Sequence, residues 1–244
     1  MKIDINCDVG EGVANEYLLM PYISSCNIAC GGHFGDVKTI DETIGLAIKN
    51  NVLIGAHPSF PDKENFGRKT MCISDLELQN SIEDQLDLFV SRMSLVNKKL
   101  HHVKPHGALY NLIAVNVTFA ELFIKSIQKH IKDAFLYVPY NSIIEKIAIN
   151  NNIKIKYEAF ADRNYNEDLT LVCRSKENAI IINSEEVFQH IFLMIKSGEV
   201  KTISGYKKAI KADTICVHGD TKNAIEIVKK ISERLKEDGV KFGF

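Results

Sequence analysis

Apolar positions along this chain follow two alternating rhythms. Short runs with the twofold alternation or the brief apolar stretch of a strand lie at 2–6 (KIDIN), 26–30 (CNIAC), 52–56 (VLIGA), 101–104 (HHVK), 134–138 (AFLYV), 153–158 (IKIKYE) and 214–217 (TICV). Between them the period lengthens to that of a helix. Residues 36–50 open on Asp36 as a predicted N-cap, set Val37, Ile40, Ile44, Ala47 and Ile48 on one face, and close at Asn50 and Asn51. From 74 a Ser74-x-x-Glu77 capping box precedes a stripe of Leu78, Ile82, Leu86, Phe89, Val90 and Met93. Residues 221–238 repeat the pattern with Ala224, Ile227, Val228, Ile231 and Leu235, and their charged residues read as a solvated face.

Strands alternating with helices of this length predict βαβ units and a parallel sheet. Seven such strands favour a (β/α) barrel of fewer than eight strands over an open sheet. The expected organisation is one domain over 1–244, since barrels of roughly this size are commonly a single domain. Two stretches, 57–73 and 159–183, exceed an ordinary βα loop and are candidates for site-forming loops.

Parity along the strands then locates polar side chains. The first strand sends Ile3 and Ile5 outward and Asp4, Asn6 and Asp8 inward. The third places Gly55 and His57 inward, the fourth His102, Lys104 and His106, the seventh Cys216, His218 and Asp220. Strands covered on both faces should be nearly continuous apolar runs. Here four of them end in Asp, His or Lys on the same inferred side. The GGHFGD turn adds His33 and Asp36, so five of the eight histidines gather near strand ends. In parallel α/β folds, the carboxyl ends of the strands hold the ligand site. Asp36 has an equally good reading as a helix cap alone, and His102, deeper in the barrel, reads as a hydrogen-bonded core histidine.

Composition narrows the partners. Thirty Lys and Arg against thirty-one Asp and Glu give a net charge of −1, which offers no overall field for nucleic acid or an anionic membrane. The N-terminus enters strand pattern without an apolar leader, and no run approaches a membrane span, so a soluble cytoplasmic protein is expected. Six cysteines, scattered mainly through strands, read as reduced core residues. Converging carboxylates and imidazoles point to general acid/base chemistry, with or without a divalent ion of the Zn, Mn, Fe or Ni kind, for which Asp8, His57 and His106 are the candidate ligands. No G-x-S-x-G elbow, P-loop or G-x-G-x-x-G turn occurs, so nucleotide chemistry would involve another chain or an unfamiliar kind of site.

Six stretches, DINCDVGEG, CNIACGGHFGD, IGAHPSFPDKENFGR, HVKPHGALYN, EAFADRNY and ICVHGD, resemble in content and order the LamB/YcsF family. The resemblance implies a seven-stranded (β/α) barrel of the glycoside hydrolase/deacetylase type. It also implies ATP-driven ring opening of 5-oxoproline to glutamate by a multi-subunit 5-oxoprolinase, in which a chain of this kind acts with two further subunits, B and C. ATP would be bound with those partners. On this reading Asp8, His57, Lys104 and His106 are catalytic candidates, and Glu11, His33, Asp36, Arg68, Asp162, Arg163, His218 and Asp220 are substrate-binding candidates. Lys104 or Arg163 would hold the substrate carboxylate. The chain departs from the family pattern at Gly32, usually aromatic, at Ser59, usually Gly, and at Cys173, usually Pro. The alternatives are a stand-alone metal-dependent deacetylase or amidohydrolase and a non-catalytic binding subunit.

Overall fold

A computed structural model describes residues 2–243. In chain order the elements are β1 (Lys2–Val9), α1 (Glu16–Leu19) with a 3-10 turn at Met20–Tyr22, β2 (Ser25–Ala29), α2 (Val37–Lys49), β3 (Leu53–His57), α3 (Asp75–Leu95), β4 (His102–Val103), α4 (Gly107–Val115) and α5 (Val117–Ile127). There follow β5 (Phe135–Pro139), α6 (Ile143–Asn150), β6 (Ile155–Phe160), α7 (Ser184–Ser197), β7 (Glu199–Lys201), β8 (Lys207–Ala209), β9 (Thr214–His218), α8 (Ala224–Glu237) and β10 (Lys241–Phe242). Seven parallel strands, in the order β1-β2-β3-β4-β5-β6-β9, close into a barrel through the pairing of β9 with β1. The expected barrel is therefore present. Two features fall outside the sequence reading: an antiparallel β7–β8 hairpin, and β10, which pairs with the start of β1.

The helices form for the reasons the pattern gives. Asp36 accepts from Thr39 N and caps α2, while Ser74 and Glu77 make a reciprocal capping box at α3. Ile40, Ile44 and Ala47 are buried as expected; Val37, in the first turn of α2, is exposed instead. Leu78, Ile82, Leu86, Phe89 and Met93 bury the inner stripe of α3, and the five predicted positions of α8 are all buried. Among the described residues no single helix is long and apolar enough to cross a membrane. α4 and α5 reach that length and composition only together, and the chain bends by 119° between them.

The strand parity holds. Ile3, Ile5, Cys7 and Val9 face the helical layer, and Asp4, Asn6 and Asp8 point into the barrel. The lower interior is a polar ladder rather than a layered apolar core. Asp4 accepts from Ser24 Oγ at 2.6 Å and Ser25 Oγ at 2.7 Å, and burial pushes its carboxyl pKa up. Asn27 donates to both Asn6 Oδ1 and Asp8 Oδ1 at 2.7 Å and accepts from His102 Nε2 at 2.6 Å. The His102 ring stacks on Tyr137 at 3.9 Å. His102 is thus the satisfied core histidine that its depth suggested. Gly55 is required beside it, because a Cβ there would lie 2.1 Å from His102 Nε2. Four cysteines (7, 26, 30, 216) are buried and free, whereas Cys72 and Cys173 are exposed loop residues, contrary to a uniform core placement.

Candidate active site

Polar side chains collect where the strands end. β1 delivers Asp8 and, just beyond it, Glu11; the turn after β2 brings His33; β3 ends on His57. β4 is only two residues long, yet Lys104 N continues its ladder to Ala56 O at 3.0 Å, and His106 N reaches Pro58 O at 2.8 Å. That local extension carries Lys104 and His106 onto the rim. β9 stands in register with β1, so His218 lies opposite Asp8.

Two backbone carbonyls fix the imidazoles. His57 Nδ1 donates to Lys104 O at 2.7 Å, and His106 Nε2 donates to Phe66 O at 3.0 Å. In the neutral tautomers, therefore, His57 Nε2 and His106 Nδ1 face each other with bare lone pairs, 3.0 Å apart. Asp8 Oδ2 lies 3.4 Å from His57 Nε2, and Glu11 Oε1 lies 3.2 Å from His106 Nδ1 and 3.8 Å from His57 Nε2. Four acceptors converge where acceptors repel. Such a cluster needs a proton or a cation at its centre. Ligand atoms held at about 2.0–2.2 Å around a tetrahedral ion stand roughly 3.3–3.6 Å apart, which is close to the separations seen. The four atoms all lie within 4.8 Å of one another.

The charge balance agrees. Buried Asp8 and Glu158 share one ammonium, that of Lys104, while Glu11 is buried against the imidazoles. Burial opposes ionisation of Glu11, but the neighbouring His106 and the hydrogen bond from His33 hold its pKa well below the usual carboxylate range. Burial also drives His33 and His106 toward neutrality: His33 falls to about 4, and His106 is lowered as well, in spite of Glu11. A divalent cation would satisfy both the lone pairs and the excess negative charge, and the donor set of two imidazoles and two carboxylates fits it.

Lys104 is not free to meet a ligand carboxylate. It donates to Asp8 Oδ1 at 2.8 Å and Cys216 Sγ at 3.0 Å, and its ammonium pairs with Glu158 Oε1 at 3.0 Å. Glu158, which sequence reasoning missed, completes this group, with the buried Tyr110 hydroxyl beside it. On the opposite wall Asp162 fixes His218, accepting from its Nδ1 at 2.9 Å and from its backbone N at 3.1 Å. The His218 ring stacks on Phe160, and a His218 ring nitrogen lies within 4.8 Å of an Asp8 oxygen. Arg163 donates through Nη2 to Val172 O at 2.6 Å, and Arg68 pairs with Asp220 at the mouth.

These groups line a cavity of about 390 Å³ that includes Asp8, His57, Lys104, His106, Arg163 and His218. A second cavity, of about 480 Å³, adjoins it across Tyr110 and Phe160. Asp36 does not join them: it is exposed and serves as the cap of α2. His33 stays behind the rim, stacked on His106 at 3.7 Å, and acts on the cluster through Glu11. Two of the departures from the family pattern occupy one spot. A Cβ at Gly32 would lie 2.5 Å from Ser59 Oγ and from Gln85 Oε1, so the space left by the absent aromatic side chain is filled by these two residues.

Comparisons with known proteins extend over the same length. A profile of the LamB/YcsF family matches residues 3–243. A protein from Bacillus cereus (strain B4264), named as the A subunit of 5-oxoprolinase, is 41% identical over 244 residues, covering 98% of this chain and 96% of the relative. One of the same name from Bacillus thuringiensis subsp. konkukian (strain 97-27) is 39% identical with the same coverage. The crystal structure of a lactam utilization protein from Thermus thermophilus superposes with a TM-score of 0.92 at 32% identity, covering 99% of both chains. A family 4 carbohydrate esterase from Streptomyces lividans, at 9% identity and a TM-score of 0.50, shares the fold alone.

Proposed function

The chain belongs to the LamB/YcsF family, and from that premise we propose that it opens the lactam ring of 5-oxoproline to give glutamate, as the A subunit of an ATP-dependent 5-oxoprolinase. The observation that carries this reading is the match, over 98% of the chain, to relatives bearing that name. A stand-alone deacetylase is not favoured, since the likeness to the esterase is one of fold only. With no P-loop or dinucleotide-binding turn in this sequence, ATP would be used together with the partner subunits, B and C.

An unstrained lactam resists water because its amide is resonance-stabilised. Transfer of a phosphoryl group from ATP to the lactam oxygen, helped by the partners, yields an imidate phosphate and ADP. Water then adds to the ring carbon, and its proton passes to the Asp8, His57 and His106 group. The carbon–nitrogen bond breaks with its electron pair going to nitrogen, which takes a proton from His218, oriented by Asp162. A second water releases phosphate from the resulting acyl phosphate. Arg163, which lines the cavity, would hold the substrate carboxylate through charge-assisted hydrogen bonds, a role that Lys104, fully committed, leaves to it.

In place of that proton, Asp8, Glu11, His57 and His106 would hold a divalent ion. When bound, it would supply polarisation of the oxygen on the reacting carbon. Elemental analysis of the dialysed protein should find about one equivalent of divalent metal, lost in His106→Ala. Equal metal content in both proteins would remove the ion from this site.

The reading itself is tested by glutamate release from 5-oxoproline and ATP. The chain alone should turn over negligibly, and addition of subunits B and C should restore activity. Full turnover by the single chain would overturn the division of labour, and none with the partners present would overturn the reading.

A further inference from the structure

Three guanidinium groups line the cavity, and the Asp220 carboxylate pairs with two of them. Arg68 Nη2 donates to Asp220 Oδ2, and Arg174 Nη1 lies 3.8 Å from the same oxygen. Asp220 therefore sits between two arginines. Arg163, beside them, is buried and has no ion-pair partner within 4.0 Å among the described residues. Burial first, and then the charge of Arg174, bring its pKa down to about 10. Three positive charges face Asp220 there, and the further anion acting on Arg163, Asp162, is committed to His218 and Thr221.

That excess is larger than the substrate of the proposed reaction requires before it is phosphorylated. 5-Oxoproline has a single carboxylate, which Arg163 satisfies. Arg68 and Arg174 remain, and they converge on a point where an acidic oxygen already lies. Planar guanidinium forks match phosphate oxygens as well as carboxylate oxygens, and paired arginines are the usual means of holding a phosphoryl group. Arg68 also packs over the Phe66 ring, 4.8 Å from its centroid, and the carbonyl of that residue orients His106. This side of the mouth is thus fastened directly to the acid/base cluster.

We propose that Arg68 and Arg174 form a phosphoryl subsite, with the Asp220 carboxylate as the internal anion that a phosphoryl group displaces on binding. The identity of the ligand, a phosphorylated lactam, rests on the function proposed above; the binding chemistry does not. Asp220 acts here as a competitor. Its removal should strengthen anion binding, whereas a merely structural Asp220 would leave binding unchanged or weaken it.

The probe is inorganic phosphate, titrated calorimetrically into the purified chain at constant ionic strength. Asp220→Asn should bind phosphate roughly tenfold more tightly than the unaltered chain, and Arg174→Gln roughly tenfold more weakly, the scale of one charge-assisted hydrogen bond. Arg174→Lys, which keeps the charge without the fork, should fall between. Melting curves establish that each variant is folded, as expected for side chains this close to solvent. Phosphate affinity that is unaltered in both Asp220→Asn and Arg174→Gln, or undetectable in the unaltered chain and in Asp220→Asn alike, overturns the subsite. Ring opening measured with the partner subunits is independent of this result. Phosphate binding in the expected order without ring opening would keep the subsite and sink the functional reading, and the reverse would keep the reading and sink the subsite.

Discussion

Asp8→Asn is expected to lower glutamate release by the complete enzyme by about 10²- to 10⁴-fold, the range over which a positioned general base contributes. The carboxylate stands at the junction of both proton-handling groups. One oxygen lies 3.4 Å from His57 Nε2, the other accepts from Lys104 and Asn27, and β9 brings His218 alongside. Asn preserves the volume and one acceptor but carries no charge and takes no proton near neutral pH. The stability cost should be smaller than the catalytic one, about 1–3 kcal/mol, because Lys104 keeps Glu158 and Cys216 as partners. Melting temperature and turnover, measured on the same preparation, separate the two effects. Turnover within a few-fold of the unaltered enzyme would remove Asp8 from the chemistry.

Asp8 shows how far the sequence carries. Its parity with Asp4 and Asn6 is readable because β1 alternates cleanly, with Ile3, Ile5, Cys7 and Val9 on the other side. The same reasoning places His57, Lys104, His106 and His218, since their strands are short apolar runs with polar ends. It fails at Glu158 for a physical reason. In β6, IKYEAF, Lys156 shares the parity of Glu158 while Tyr157 is half-buried on the other side, so alternation gives no signal of an inward carboxylate. Arg174 is illegible for another reason. It comes from the long connection after β6, where side-chain direction has no period and depends on contacts with distant segments, such as Arg163 with the carbonyls of Val172 and Ala179. Asp36 errs the other way: a residue type that suits a ligand also suits an N-cap, and the first turn of α2 holds it there. The fold was legible in outline because seven strands with intervening helices leave few topologies. β7, β8 and β10, two or three residues each, are too short for any periodicity.

Lys104→Met should cost about 3–5 kcal/mol of folding stability, the scale for removing one partner of a buried ionic group. That is a large share of the roughly 5–15 kcal/mol that holds a typical domain folded. Met retains most of the length and volume of the stem, so cavity formation contributes little. What changes is electrostatic: Asp8 and Glu158 are left inside the barrel without the ammonium they share. The linkage signs are definite. In the unaltered protein burial pushes the Asp8 carboxyl up, but His57 and then Lys104 more than reverse this, so its pKa lies well below the ordinary value. Its contribution to stability is present above the unfolded pKa of about 3.9 and lost as pH falls through the lower folded value. For Lys104, burial lowers the pKa, but Asp8 foremost brings it well above normal. Its contribution is present below the unfolded pKa of about 10.4 and lost only as pH rises through the higher folded value. The pair is therefore intact across the neutral range. Without Lys104 the carboxylates are expected to titrate upward, so the variant should lose stability as pH rises through their new values, and the deficit should be smaller at about pH 5 than at about pH 8. Lys104→Met combined with Glu158→Gln should recover part of the loss, since one unmatched carboxylate is then gone. Urea unfolding of the two variants at both pH values tests this ordering. A Lys104→Met protein as stable as the parent at pH 8, or a double variant less stable than the single one, would show that the buried pair does not hold the rim together.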